Sequence, residues 1–218
     1  GTNYLRLGHD KKGLEYLRRA WKGDRFNVRT FNLLNLFEDV LAKEYTFISS
    51  AHFRLRVHKT EAAIIKRTVV PLLEEAYALY VKKYRFTPKG PIIVELFKNP
   101  KHYAVRTVGL PGLGALGVCF GRVITSISPV GGRFNWGQVL WHELNHVFTI
   151  QISRSRVPRW LTEGLADIRF IKNLEAFTIA FLPVDEVPPP PRPERFTFLE
   201  SVDPRAIESN VPFVDAPD

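Results

Sequence analysis

Apolar positions along the chain follow two periods, and the switches between them outline the fold. Residues 3–40 read as helices, with Val28, Phe31, Leu34 and Phe37 at helical spacing. Phe53-Arg54-Leu55-Arg56-Val57 then alternates, which is the two-residue period of a strand. From Thr60 to about Tyr84 the helical period returns. Its predicted stripe is Ile64, Leu72, Leu73, Ala76, Leu79 and Tyr80, and Pro71 is a candidate kink. Ile92 to Phe97 reads as a buried strand, and Val118 to Ser128 as one or two more, broken at Gly121. Asn135, with Gln138 three residues on, is a capping-box variant that starts a helix near Trp136. Val139, Leu140, Val147 and Phe148 make that helix a buried one, and Pro158 introduces another. The order predicts an α+β fold with a mixed sheet behind an α-helical segment.

The chemistry sits on the last two helices. His142-Glu143-Leu144-Asn145-His146 spells H-E-x-x-H, and Trp160-Leu161-Thr162-Glu163-Gly164-Leu165-Ala166-Asp167 follows. Residues four apart share a helix face, so both imidazoles can reach one metal ion at roughly 2.0–2.1 Å. Glu143 lies about 100° around the helix. From there it can touch a metal-bound water without ligating the metal. Glu163 falls among Trp160, Leu161, Leu165, Ala166 and Ile168, a setting where a carboxylate needs a partner or a metal. Two His and one Glu leave a fourth tetrahedral position open, as in a catalytic zinc site. Asp167 shares the Glu163 face and is placed to accept the outward N–H of a ligand histidine, His142 before His146.

These residues resemble the gluzincin metallopeptidases, the thermolysin-like clan, whose pattern is H-E-x-x-H followed by W-L-x-E-G-x-A-x with a second helix carrying E-x-x-x-D. The resemblance spans roughly residues 53 to 170 as a peptidase MA-like domain. It implies one zinc ion held by His142, His146 and Glu163, with Glu143 as the general base and a peptide or protein as substrate. It implies a zincin-like layout, in which the strand before the motif helix is an exposed edge that takes substrate as an added strand. Arg122 to Ser128 is the candidate edge. Upstream, Tyr4, Leu7, Gly8 and Ala20 resemble tetratricopeptide-repeat positions, about one and a half repeats in all. Such a segment has further repeats before it or packs on the next domain. The expected division is 1–50 helical and tetratricopeptide-like, 51–182 zincin-like and catalytic, and 183–218 an extended tail with nine of the sixteen prolines.

Composition changes this picture little. The net charge is +9, with 18 Lys+Arg against 9 Asp+Glu in residues 1–90 and 13 against 13 in 91–218. The excess lies in the helical front, as single and paired residues rather than a run. That reads as a solvated helix surface, so no nucleic-acid partner is expected. No stretch approaches the ~20 apolar residues of a membrane span. The chain starts at Gly1 without methionine and shows no signal peptide, which reads as a processed or excised fragment of unassigned compartment. The lone Cys119 excludes an internal disulfide and reads as a small buried hydrophobe. His9, His52, His58 and His102 lack metal spacing. Gly112 to Gly117 satisfies G-x-G-x-x-G, but Pro111 precedes it and a strand-like segment follows. A glycine loop at a cleft rim fits better than a nucleotide site.

One departure from the clan stands out. Its oxyanion donor is usually a Tyr or His downstream of the third ligand, and this chain has neither after Glu163. Tyr103, His102 and Arg205 are the alternatives. The competing function is a zinc-bearing scaffold whose N-terminal helices bind a protein partner.

Overall fold

A computed structural model describes residues 1–167 of the chain. The proline-rich tail expected at 183–218, and the end of the segment expected to run to 182, lie outside these residues. Within them a five-stranded mixed sheet has the order β1-β2-β3-β5-β4. The strands are β1 (Tyr45–Ser49), β2 (Phe53–His58), β3 (Ile92–Phe97), β4 (Gly117–Cys119) and β5 (Val123–Ile127). The central three, β2, β3 and β5, are parallel, and an antiparallel strand closes each side.

Both faces of this sheet are covered, and the two-residue period sorts its side chains between them. One face carries Phe53, Leu55, Val57, Ile92, Val94, Leu96 and Ile124. Against it pack α5 (Ala62–Tyr84) and α7 (Trp136–Ile152). The other face is capped by α1 (Thr2–Arg6), α2 (Asp10–Gly23), α3 (Val28–Asn35) and α6 (Pro100–Val108). Leu5, Leu17, Leu33, Leu34 and Phe37 meet Phe97 and Tyr103 there. The N-terminal helices therefore pack on the sheet. Arg106 donates to the Leu5 carbonyl at 2.9 Å, and Asn32 to the Gly109 carbonyl at 3.1 Å. A π-helical turn (Leu36–Leu41) and the short α4 (Ala42–Glu44) lead from α3 into β1.

A buried ionic chain crosses that second interface. Glu95 on β3 accepts from Arg56 at 2.6 Å and lies 2.6 Å from Arg106 Nε. Arg56 also donates to Asp10 at the start of α2. Glu95 and Arg106 are 2% and 1% exposed, so each charge depends on its partner.

Three expectations need correction. β1 falls inside the segment read as helical, because its Tyr-Thr-Phe-Ile-Ser run pairs antiparallel with β2. The buried stripe of α5 is Ile65, Val69, Leu73, Ala76, Tyr77 and Tyr80, whereas Ile64 and Leu79 face solvent. The edge strand is β4 and not Arg122 to Ser128. β5 lies between β3 and β4, so its main chain is already paired on both sides.

Candidate active site

Asn135 starts α7 as expected, its side chain accepting from the Gln138 N–H at 3.1 Å. Leu140, Trp141, Leu144, Val147 and Phe148 bury one side of α7 against α5 and the sheet. That burial fixes the rotation of the helix. It directs His142 and His146 toward α8 (Arg159–Asp167), and Glu143 toward β4.

The helix ends in a Schellman turn. The Ser155 N–H reaches the Ile150 carbonyl at 2.9 Å, and the Arg154 N–H the Gln151 carbonyl at 3.3 Å. Arg154 and Ser155 take positive φ, at 51° and 62°, and reverse the chain. The Pro158 carbonyl then accepts from Leu161 and Thr162 to open α8, so Pro158 stands just before the helix and not within it. Thr162 and Ala166 are buried, and Glu163 returns toward the histidines.

The result is a compact triad. His142 Nε2 and His146 Nε2 are 3.0 Å apart, and Glu163 Oε2 is 3.3 Å from each. A tetrahedral zinc with bonds of roughly 2.0–2.1 Å spaces its ligand atoms by about 3.3–3.4 Å. The three side chains therefore fit a small divalent cation by both donor type and spacing. Among the described residues they are the one group of His, Cys, Asp and Glu gathered closely enough to hold such an ion. Glu163 is also tied to Arg159, one helical turn earlier, at 3.3 Å. The Asp167 side chain lies outside the described residues.

Glu143 is 7% exposed. Burial, and then the nearby Glu163 carboxylate, push its carboxyl up to about 8. Its close neighbour is the backbone of Gly117, at the start of β4. A Cβ there would stand 2.8 Å from Glu143 Cγ and 2.9 Å from Glu143 Oε1. The last glycine of G-x-G-x-x-G thus lets the edge strand lie against the carboxylate. No helix opens within that motif, as a dinucleotide site would require; β4 begins instead.

Two candidate oxyanion donors, Tyr103 and His102, do not join this group. Tyr103 is 0% exposed in the core of the opposite sheet face. Burial and the Glu143 charge hold its phenol well above the ordinary range. His102, on the same helix, is lowered by burial and feels Glu44, on the β1 side of the fold. Arg205 lies outside the described residues. Cys119 is half-buried and packs on the α7 side of the sheet, where burial and then Glu143 raise its thiol. Elsewhere, His52 pairs with Glu74 at 2.6 Å and stacks on Tyr77, while His58 contacts Thr60 at 2.7 Å.

Sequence reasoning missed two residues of the site. Gly117 was read only as part of a loop. Asn145 is 1% exposed and donates from Nδ2 to the Tyr84 hydroxyl at 2.9 Å and to the Leu165 carbonyl on α8 at 3.3 Å. Neither role has a local signal, since both depend on elements distant in the chain. No family model, curated protein or solved structure matches the chain. No helix among the described residues is long and apolar enough to cross a membrane.

Proposed function

We propose that the protein is a zinc-dependent metallopeptidase of the gluzincin type, built on a zincin-like sheet. The observation that carries this reading is the convergence of His142, His146 and Glu163 beside the buried carboxylate of Glu143. A zinc ion at the triad would supply Lewis acidity and bring the pKa of a water to about 7. Glu143 accepts a proton from the attacking water and delivers it to the leaving amine. A metal site without catalysis has no need of a buried carboxylate at that position. Asp167 keeps the role the sequence suggests, orienting a ligand histidine.

The substrate strand aligns along β4, which lies at the sheet edge next to Glu143. Gly117 lets β4 lie close against Glu143, so a strand added along this edge would run beside the proposed base. The second reading, a partner-binding scaffold, draws on a groove of about 420 Å³ lined by Trp21 and Lys22 of α2, Arg25 of the following loop, and Phe31 and Leu34 of α3. It also draws on the want of a Tyr or His donor at the cleft.

Metal analysis and a peptide-library cleavage assay decide between them. The wild type should bind about one zinc and cleave. His146→Ala should lose the metal. Glu143→Gln should keep metal and fold and lose at least ~10²-fold in activity. Zinc binding without cleavage would support the scaffold, and unchanged metal content in His146→Ala would overturn both readings.

A further inference from the structure

The three ligand residues come from two helices that are held in place very differently. α7 is gripped along its length by the core, with Leu140, Leu144, Val147 and Phe148 at 1% exposure or less. Among the described side chains of α8 only Thr162 and Ala166 are buried, at 7% and 1%, while Trp160 is 70% exposed. Something besides apolar packing must set where α8 sits, and with it Glu163.

Asn145 is the side chain in position to do so. It lies on α7 one residue before His146 and is almost wholly buried. The Leu165 carbonyl can only accept, so the Asn145 amide must turn its nitrogen toward α8, and the bond is 3.3 Å long. The same nitrogen reaches the Tyr84 hydroxyl of α5 at 2.9 Å. Among the described residues the Asn145 Oδ1 is buried without a hydrogen-bond partner, so the bonds of the amide there are the two it donates. A buried amide left half satisfied is costly, and it needs a return.

We infer that Asn145 is a positioning residue for the candidate metal centre: its bond to the Leu165 carbonyl sets the α8 backbone so that Glu163 meets the histidines. This rests on the metal reading proposed above. The bond reaches α8 two residues beyond Glu163, within the same turn, so it fixes both the height and the rotation of that turn. The bond to the Tyr84 hydroxyl is the amide's second and ties it to α5.

Two measurements on the full chain test this. The first is amide hydrogen exchange of metal-free protein, which reads α8 whether or not the site takes zinc. Asn145→Leu keeps similar volume and removes both donors. It should speed exchange of the α8 amides at 161–167 by about 10-fold or more, the loss of one hydrogen bond's worth of protection. The amides of α5 and the core of α7 should keep their protection. Tyr84→Phe removes only the bond to α5, leaves the one to Leu165, and should leave α8 exchange near wild type.

The second is zinc titration against a competing chelator. Asn145→Leu should bind roughly 10–100-fold more weakly, the usual loss for an outer partner of a ligand, and Tyr84→Phe should bind as wild type does. Unchanged α8 exchange in Asn145→Leu, or a loss of protection spread equally over α5 and α7, would overturn the inference. So would faster α8 exchange combined with unaltered zinc affinity. If wild type binds no zinc, the metal reading fails, and the proposed role at the metal centre falls with it. The exchange result would then stand only as a statement about α8.

Discussion

A single methyl group at Gly117 tests how closely β4 approaches Glu143, the proposed base. The added Cβ would lie 2.8 Å from Glu143 Cγ, 2.8 Å from Val139 Cγ1 and 2.9 Å from Glu143 Oε1. Carbon atoms in contact rest at about 3.5–4.0 Å, so Gly117→Ala demands about 0.7 Å of extra room on two sides. The Glu143 carboxylate can swing aside. Val139 is a stiff side chain on a helix locked into the core, so strand and helix must also part. Such overpacking costs about 1–3 kcal/mol, or roughly 2–12 °C in Tm for a chain of this size. A base displaced by about 1 Å costs about 10²-fold in turnover. None of the three ligand residues is among the close contacts of the new methyl, so bound zinc should stay at the wild-type level. Thermal melts, metal analysis and a peptide cleavage assay read the three quantities separately. Gly117→Ala/Val139→Ala relieves the helix clash and leaves the one with Glu143. It should recover part of the Tm and little of the activity. Wild-type Tm and turnover in Gly117→Ala would refute the placement of β4 against the base.

Two further predictions concern stability. Glu95→Gln leaves the Arg56 and Arg106 charges buried without their shared carboxylate and should cost roughly 3–5 kcal/mol in urea unfolding. By contrast, Arg18→Ala, which breaks the exposed 2.6 Å pair with Glu38, should change stability by no more than about 1 kcal/mol; equal effects of the two would remove the distinction between buried and surface pairs in this fold. At Glu74 burial works to raise the carboxyl, but hydrogen bonds from the His52 ring and backbone N–H outweigh it and the pKa is lowered. A depressed folded value means the contribution is present above the unfolded glutamate pKa and is lost as pH falls through the folded one. The stability gap between wild type and Glu74→Gln should therefore be widest near neutrality and close on acidification. A gap that widens toward low pH would show the sign to be wrong.

What the sequence made legible is what short-range geometry controls. The histidines four apart on one helix, the Asn135 cap and the break at Gly121 follow from helical and strand periods within a few residues. That Glu163 meets the histidines was legible through the second motif, although the turn that brings it back, with Arg154 and Ser155 at positive φ, carries no glycine to announce it. β1 was missed because Ala42–Glu44 runs into Tyr45 without a glycine or proline between them. On α5 the adjacent Ile64 and Ile65 offer two stripes of equal apolarity, and only packing against β2 and α7 selects Ile65. The edge position went to the wrong strand because β4 is three residues long and its order in the sheet is a long-range property. Arg56, Glu95 and Arg106 read as ordinary charges in sequence. Their burial depends on the N-terminal helices covering that face.

The two faces of the sheet divide the work. On the face covered by α1, α2, α3 and α6, the buried ions hold the helices to the strands, and no residue of the candidate site lies there. The α5 and α7 face is apolar, and burial beside it, followed by the nearby Glu163 carboxylate, raises the Glu143 carboxyl. The histidines inherit the rigidity of α7. Glu163 does not: its side chain is 41% exposed and is shared with Arg159. In the proposed metal site the His pair is thus preorganised, and Glu163 is the adjustable member. In such an arrangement changes at α8 should act on metal retention before they act on the fold. Changes at the α7 core should do the reverse, and this separates the two helices experimentally even though their ligand atoms lie about 3 Å apart.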